Sequence, residues 1–322
     1  MLQATVNRLM PIMCPSNIFI VTGRSYADAV HRHLPALPAE NIIAEPIGRG
    51  SGPAIGLAAA LISRRDPDAI VGSFAADHHI GDPEALHSAV LAAAEVVRMG
   101  YLVAIGIQPT YPETGYGYIR TGPLLFDQEG VTARVVEEFK EKPDLEIAER
   151  YVRNGSYLWN ASMFVWRAAT LLKEIRELFP EVHRIVTEIA AAWDGPRRDQ
   201  TLEELWLQLP GVMNEHEIME RSTRMAVVPA HLNWTDLGDW NRLAQLMVPE
   251  GEQNAVLGGT HITEDTRSTL VLGNGRPVVT IGLENIVIVD AGDVLLVCDR
   301  DRVQDIRGVV ERSNAEGNVL VM

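Results

Sequence analysis

Apolar runs and stretches of helical spacing alternate along the first 110 residues of the chain. The runs that predict strands lie at 17–22, 42–44, 69–75 and 101–107, and helical patterns lie between them at 24–34, 53–65 and 83–98. Strands that are apolar throughout are typical of a parallel sheet covered by helices on both faces. The pattern therefore predicts a doubly wound α/β domain.

The pattern changes around Pro249-Glu250-Gly251. Before this point, further strands are predicted near 131–139, 157–166 and 225–228. After it, short β-rich runs separated by Gly and Asn turns fill residues 255–298, and a helix is predicted at about 301–313. We therefore predict two domains, an α/β domain at 1–250 and a small all-β domain at 251–322.

The first residues of the chain have the spacing of a helix. Leu2, Val6, Leu9 and Met10 fall on one face, with no room for a cap before them. In an α/β domain a strand and its loop normally precede such a helix. We therefore expect that an N-terminal element of the domain is absent from this sequence.

Composition and charge exclude several classes of protein. The formal charge of −15 argues against a general affinity for nucleic acid or for an anionic membrane, because phosphate contacts need clustered Lys and Arg. No apolar run reaches the roughly 18 residues of a membrane span, and Asn7, Arg8 and Pro11 interrupt any signal peptide. Cys14 and Cys298 stand alone, as in a reduced protein, so we predict a cytoplasmic location.

Two aspartates are candidates for binding a divalent metal. Asp77 follows the apolar run 69–75, at the strand end where open α/β sheets bind ligands, and Asp236 lies in the segment T-D-L-G-D-W. Two such carboxylates can share Mg²⁺ with phosphate oxygens. The alternative for Asp77 is a cap for the next helix or turn. His78 and His79 are left out of the metal set because Mg²⁺ prefers oxygen ligands.

A lysine and a glutamate in the segment F-K-E-K-P at 139–143 are candidates for binding a phosphorylated ligand. Lys142 precedes Pro143, which favours an extended conformation at a strand end. Its ammonium group can act as a point charge on a phosphate, and Glu141 can accept hydrogen bonds from hydroxyl groups. The alternative is a solvated charged turn.

Two aromatic segments, E-T-G-Y-G-Y-I at 113–119 and Y-L-W-N-A-S-M-F at 157–164, supply further candidates. The glycine turn around Glu113, Gly115 and Tyr116 allows close approach of a ligand to the backbone. Asn160 can both donate to and accept from a hydroxyl. A plain turn is the alternative for the first segment. The large aromatic side chains near Asn160 are predicted to be core: Trp159, Phe164 and Trp166.

The glycine-rich segment E-P-I-G-R-G-S-G-P at 45–53 leads directly into a predicted helix. Because helix N-termini attract anions, this segment is a candidate nucleotide edge. It is neither a Walker loop nor a G-x-G-x-x-G motif. Its candidate nucleotide-binding residues are Arg49, Ser51 and Pro53, to which we add Asp77.

In their order along the chain and in their residues, these segments resemble the motifs of the sugar-nucleotide pyrophosphorylases, and most closely those of the bacterial mannose-1-phosphate guanylyltransferases. The similarity runs from Leu2 to about Val310 and includes A-D-H, E-T-G-Y-G-Y-I, E-K-P, W-N-x-x-M-F and W-x-D-L-G-x-W. The resemblance implies a Rossmann-like, GT-A-like nucleotidyltransferase domain. It also implies a C-terminal domain like a short left-handed β-helix, through which a homodimer is possible.

The resemblance further implies a reaction and roles in it. A phosphate oxygen of mannose 1-phosphate would attack the α-phosphorus of GTP, giving GDP-mannose and pyrophosphate without a general base. Asp77 and Asp236 would bind Mg²⁺, and Lys142 would bind the sugar phosphate. Mannose would be held by a set of residues from the aromatic and E-K-P segments: Glu113, Gly115, Tyr116, Glu141 and Asn160.

The chain departs from the family pattern in two places. The family opens with a strand and a G-G-x-G-x-R-x-x-P-L-S loop around the triphosphate, whereas Met1 falls where the following helix begins. At 49–53 the chain has R-G-S-G-P where the family usually has R-N-T-A-P. Two alternatives therefore stay open. One is another hexose-1-phosphate nucleotidylyltransferase, and the other is an inactive protein that binds a sugar nucleotide or a homologous subunit.

Overall fold

The computed structural model describes residues 1–128, 131–248 and 254–315. The chain divides into two compact units, Met1–Trp234 and Thr235–Met322. The domain boundary predicted at 250/251 falls within 249–253, outside the described residues, and stays a prediction.

The first unit is built from helices and strands in alternation. Its helices are α1 (Leu2–Leu9), α2 (Ala27–His33), α3 (Ser51–Arg65), α4 (Pro83–Arg98), α5 (Leu145–Asn154), α6 (Ala168–Leu178), α7 (Pro180–Ala192), α8 (Arg198–Trp206) and α9 (His216–Arg221). Its strands are β1 (Ile20–Gly23), β2 (Ile42–Glu45), β3 (Ile70–Ser73), β4 (His79–Ile80), β5 (Leu102–Ile107), β6 (Gly117–Gln128), β7 (Val131–Lys140), β8 (Tyr157–Arg167) and β9 (Met225–Ala230), and β10 (Trp234–Thr235) follows. The predicted strands and helices of the first 110 residues, the N-terminal helix included, are all present.

The main sheet has six strands in the order β3-β8-β5-β9-β7-β6, and it is mixed rather than parallel throughout. Strands β5 and β9 are parallel, but β8 runs antiparallel to both β3 and β5. The first predicted strands keep the expected direction, since β1 pairs with β2 in parallel and β3 and β5 run the same way. The antiparallel insertion of β8 between β3 and β5 was not predicted, because apolar runs indicate burial on both faces but not the direction of the neighbours. Strand β6 was not predicted, because Gly122-Pro123 interrupts it and its pairing with β7 is irregular.

Strands β1 and β2 form a separate parallel pair, with Ile20 opposite Ile42 and Gly23 opposite Glu45. Among the described residues, β1 pairs with no strand but β2, and β3 pairs with no strand but β8. Between the free edges of β1 and β3 lies a cavity of about 820 Å³, which we call the trough. Helix α1 lines it through Leu2, Thr5 and Leu9, and helix α3 lines it through residues such as Ala58.

Two apolar clusters form the core of the first unit. One includes the buried side chains of α4 with parts of α1, β5 and β9, and the other joins α3, α6 and α7 to β8. Trp159, Phe164 and Trp166 are at most 3% exposed, which confirms that they are core.

The second unit consists of α10 (Trp240–Met247), β11 (Ala255–Leu257), β12 (His261–Glu264), β13 (Leu270–Leu272), β14 (Val278–Ile281), β15 (Ile286–Asp290), β16 (Leu295–Asp299) and α11 (Asp305–Ala315). Parallel ladders stack β11 on β13 and β13 on β15, and β12 on β14. Gly258 and Gly273 lie at a corner of this stack, where a Cβ on Gly258 would come within 2.6 Å of the Gly273 carbonyl oxygen. Only glycine therefore fits this corner.

No helix among the described residues has the length and apolarity needed to cross a bilayer. Both cysteines are free: Cys14 is exposed and Cys298 is half-buried.

Candidate functional site

A cluster of aromatic rings in the first unit brings the sequence motifs together. The Tyr116 ring lies edge-on to Trp159 and Trp234, with centroids 5.3 Å and 5.0 Å apart. His78 contacts Trp234 at 5.2 Å, and Tyr111 contacts Trp159 at 4.9 Å. Edge-to-face pairs at such distances are favourable beyond the area they bury. This aromatic cluster joins the strand end at 77–79 to the segments at 113–119, 157–164 and 233–234.

The proposed sugar-binding residues converge on Gly117. Gly117 of β6 lies opposite Asn160 of β8, and Tyr118 lies opposite Lys140 of β7. A Cβ on Gly117 would come within 2.9 Å of Glu141 Oε2 and 3.4 Å of Asn160 Cβ. The structure thus places a carboxylate and an amide side by side over a position that has no side chain.

The turn before β6 is fixed by its own hydrogen bonds. The Gly115 N–H donates to Glu113 Oε1 over 2.8 Å, and the Tyr118 hydroxyl donates to the Glu113 carbonyl over 2.8 Å. Tyr116 is only 7% exposed because its ring belongs to the aromatic cluster. Glu113 therefore shapes the turn, and Tyr116 anchors it.

Lys142 is exposed, and its Nζ lies 3.4 Å from Glu141 Oε1. The extended conformation predicted from Pro143 was wrong, because Lys142 has a φ of 40°. The chain turns here from β7 into α5, whose first turn is capped by Asp144 accepting from the Ile147 N–H over 2.9 Å. Lys142 therefore adopts its left-handed conformation in the turn between β7 and α5.

Left-handed residues other than glycine recur in or beside the motifs. Besides Lys142, Ser162 and Asn233 have φ values of 49° and 47° in the first unit, and Leu237 has 51° in the second. Such conformations cost about 1–3 kcal/mol each and cluster at functional sites. For the bulky Leu237 a positive φ is a clear outlier. Outside the motifs, Asp265, Ser268 and Asn285 of the second unit have the same conformation.

Asp77 is exposed in a turn shortly after β3. It does not cap α4, because Asp82 does so by accepting from the Ala85 N–H over 2.9 Å. In the second unit, Asp236 Oδ1 accepts from the Gly238 N–H over 3.2 Å, and Asp239 caps α10. Each aspartate lies in a turn, and the two belong to different units.

The segment 45–53 is clamped to residues 213–215. The Met213 N–H donates to the Arg49 carbonyl and the Gly52 N–H donates to the Met213 carbonyl, each over 3.0 Å. The Ser51 hydroxyl hydrogen-bonds to the buried Glu215 carboxylate. Gly50 has a φ of 85°, and a Cβ there would fall 2.2 Å from the Met213 carbonyl oxygen. This clamp fixes the start of α3 at the wall of the trough.

The three candidate nucleotide-binding residues of this segment have different surroundings. Ser51 lines the trough. The Arg49 guanidinium donates to the Leu207 carbonyl over 3.2 Å, and Pro53 is buried in the first turn of α3. Ser51 is therefore the predicted residue that faces the trough directly, and the nucleotide roles of Arg49 and Pro53 stay predictions.

Glu45, at the carboxyl end of β2, was missed as a candidate. Its side chain lines the trough, and its Oε1 is buried with no hydrogen-bond partner among the described residues. Burial raises the pKa of this carboxyl group from 4.5 to about 7. A signal was available, since Glu45 ends a strand before a glycine-rich loop, as Asp77 follows a strand before a turn.

Two family models match the chain. A family model described as nucleotidyl transferase matches residues 1–252, and a model described as a mannose-phosphate isomerase/GMP-like β-helix domain matches residues 259–312. The second match supports a β-helix for the second unit. Its handedness stays a prediction.

Individual proteins are similar over nearly the whole chain. Mannose-1-phosphate guanylyltransferase of Escherichia coli K12 is 36% identical over 98% of this chain and 67% of its own length. The xanthan biosynthesis protein XanB of Xanthomonas campestris is 35% identical with the same coverage. A crystal structure from Thermus thermophilus, described as mannose-1-phosphate geranyltransferase, superposes with a TM-score of 0.85 at 30% identity, over 97% of this chain and 89% of that one.

Replacing Gly50 by alanine is expected to disrupt the clamp. The backbone conformation alone would cost about 1–3 kcal/mol with a side chain, and the added methyl group would collide with the Met213 carbonyl. Gly50→Ala should therefore lower the midpoint of urea unfolding. Gly48→Ala is the matched control, because a Cβ at Gly48 meets nothing within 4 Å. Equal midpoints for the two variants would contradict the clamp.

Glu45 is expected to make stability depend on pH. The unfolded chain releases this proton near 4.5 and the folded chain near 7, so the folded state holds more protons between these values. The contribution of Glu45 to stability is thus fully present below pH 4.5 and lost as the pH rises through 7. Glu45→Gln should melt higher than wild type at pH 8 and together with it at pH 4. A constant difference across this range would show that burial does not perturb Glu45.

Proposed function

The chain belongs to the nucleotidyl transferase family and, within it, to the mannose-1-phosphate guanylyltransferases, and we propose that it converts GTP and mannose 1-phosphate into GDP-mannose and pyrophosphate. The observation that carries the proposal is the convergence of Glu141, Asn160 and the 113–117 turn at one place. This place lies in a chain 36% identical to a guanylyltransferase over 98% of its length. The alternatives of another sugar phosphate or an inactive binding protein are not favoured by these similarities.

The sugar would bind over Gly117. Glu141 can accept hydrogen bonds from hydroxyl groups, while Asn160 can both donate and accept. The Gly115 N–H already donates to Glu113, so the carbonyl of Gly115 is the group proposed to accept from the sugar. The aromatic cluster beneath holds Tyr116 and Trp159, so the polar groups are carried by a rigid base.

The phosphate of the sugar would bind at Lys142. The ammonium group is exposed and paired only loosely with Glu141 at 3.4 Å. Exposed ion pairs contribute little to stability, so a dianionic phosphate can replace this partner at small cost. Lys142 would then fix the attacking oxygen and offset its charge.

Asp77 and Asp236 are the residues proposed to hold Mg²⁺. The described residues contain no group of three or more acidic, His or Cys side chains that could hold a metal. Mg²⁺ is commonly held by one or two carboxylates together with substrate phosphates and water, so two hard oxygen donors fit its chemistry. When bound, it would supply charge neutralisation at the α-phosphate of GTP.

The reaction needs no general base. The attacking phosphate oxygen is already an anion, so its bond to the α-phosphorus forms as the bond to the β-phosphate oxygen breaks and pyrophosphate leaves. The contribution of the chain is to align the two substrates and to offset their charge through Lys142. We propose a cytoplasmic location, with which the two free cysteines agree.

Release of pyrophosphate from GTP, Mg²⁺ and mannose 1-phosphate tests the reaction. We expect GDP-mannose in equal amount, and Asp77→Asn or Asp236→Asn should lower kcat at least about a hundredfold by loss of a charged group at the α-phosphate. Asp199→Asn is the control, since that side chain is 92% exposed on α8. A folded chain that forms no GDP-mannose would refute the proposed reaction.

Lys142→Ala tests the phosphate site. Loss of a charged hydrogen bond of about 1.5–3 kcal/mol should lower kcat/KM for mannose 1-phosphate by about 10–100-fold, while KM for GTP changes little. The matched control is Lys173→Ala, an exposed lysine of α6. If the variant lowers kcat/KM for GTP and for mannose 1-phosphate by the same factor, Lys142 does not bind the sugar phosphate.

A further inference from the structure

Two side chains of α1 hold the turn that carries Asp77. The Thr5 hydroxyl donates to the Ala76 carbonyl over 3.2 Å, and Nη1 of Arg8 donates to the His78 carbonyl over 3.0 Å. These carbonyls belong to the residues immediately before and after Asp77. Because residues 5 and 8 are three apart, they lie on one face of the helix. One helix face therefore holds the turn on both sides of its carboxylate.

The hydrogen bond of Thr5 is not one that helix formation alone would produce. A threonine in a helix can return its hydroxyl to the carbonyl four residues earlier, whereas the Thr5 hydroxyl donates to a residue 71 positions away. Its side chain is buried, so water competes little for this bond. The bond therefore ties the helix to the Ala76–Asp77 peptide.

Helix α1 is itself fixed in place. Val6 and Leu9 are buried in the core of the first unit. The Nε2 of His87, on α4, donates to the Arg8 carbonyl over 2.5 Å. The helix face that carries Thr5 and Arg8 is therefore a fixed support and not a mobile segment.

The aromatic cluster holds the other side of the same turn. The His78 ring lies edge-on to Trp234, with centroids 5.2 Å apart. The turn thus lies between α1 and the cluster. The backbone at Asp77 has little freedom, although Asp77 itself is exposed to solvent.

We propose that Thr5 and Arg8 are positioning residues of the metal site, which hold the backbone of Asp77 so that its carboxylate meets the Mg²⁺ of the bound nucleotide. This inference rests on the proposed function, in which Asp77 binds Mg²⁺. A functional carboxylate must be held to within about 0.5 Å of its productive position. An exposed aspartate in a turn does not reach this precision alone, so it needs support from fixed neighbours.

The alternative for Arg8 is direct contact with a phosphate group. Its guanidinium is already engaged, since Nε donates to the Ala4 carbonyl over 3.3 Å and Nη1 donates to the His78 carbonyl. Both acceptors are backbone carbonyls of this chain. The geometry therefore favours support of the turn over contact with the nucleotide.

Equilibrium binding of GTP to the full chain, in Mg²⁺ and in EDTA, tests the proposal. Thr5→Val removes the hydroxyl at nearly constant shape, and Arg8→Met removes the donors but keeps an extended side chain. Each should weaken GTP binding about 10-fold in Mg²⁺ and less than about twofold in EDTA, because partners behind a metal ligand act through the metal. Thr5→Ser keeps the donor and should bind as wild type does. Asn7→Ala, at an exposed position of α1, is the matched control.

A double-mutant cycle shows whether the effect passes through Asp77. Asp77→Asn alone should remove most of the gain in GTP affinity that Mg²⁺ provides. In that background Arg8→Met should change GTP binding in Mg²⁺ by less than about twofold, because the group that it positions is gone. Thermal melting checks that each variant is folded.

Four results would overturn the inference. The first is a wild type that binds no GTP or gains nothing from Mg²⁺, and the second is a pair of folded variants that bind as wild type does in Mg²⁺. The third is equal weakening in Mg²⁺ and in EDTA, which would indicate a general structural role or, for Arg8, contact with the nucleotide. The fourth is an Arg8→Met effect that persists in full beside Asp77→Asn.

Turnover separates this inference from the proposed reaction. If the variants lose Mg²⁺-dependent GTP binding but the wild type forms no GDP-mannose, the positioning role stands and the reaction is refuted. If the wild type forms GDP-mannose and the variants keep its dependence on Mg²⁺, the reaction stands and the positioning role is refuted.

Discussion

The aromatic cluster around Trp159 is the constraint on which the candidate site depends. Tyr116 and Trp159 pack at 5.3 Å, and Trp234 contacts Tyr116 and His78. These rings belong to segments far apart in sequence, and each lies within a few residues of a polar candidate. Because the rings pack in one arrangement, the polar groups beside them have little freedom. The rings that form part of the core of the first unit therefore also position the polar residues of the candidate site.

Much of this arrangement could be predicted from the sequence. Apolar runs located the strands and helices of the first 110 residues, and helical spacing at Leu2–Met10 located α1. Motif order identified the family, although each motif alone is also compatible with an ordinary turn. Burial of Trp159 and Trp166 followed from their place in an apolar strand.

Other features could not be predicted because they depend on tertiary pairing. The antiparallel insertion of β8 between β3 and β5 has no local signature, since β8 is buried on both faces whichever way its neighbours run. Lys142 is left-handed in the turn from β7 into α5 despite the preference that Pro143 imposes, and this is a property of the folded chain that the dipeptide alone does not indicate. The unpaired oxygen of Glu45 requires knowledge of the trough, which is formed by elements from distant parts of the chain.

The pairing of the strands also divides the first unit into parts of unequal local stability. Strand β8, which carries Asn160, is hydrogen-bonded to β3, β5 and β6, so exposing its amides to solvent would require opening the main sheet. Strand β2, which carries Glu45, has only β1 as a partner among the described residues. Elements with fewer partners open at lower free energy. The end of the first unit proposed to hold the sugar is therefore stiff, whereas β2 and the start of the 45–53 segment open at a lower free energy.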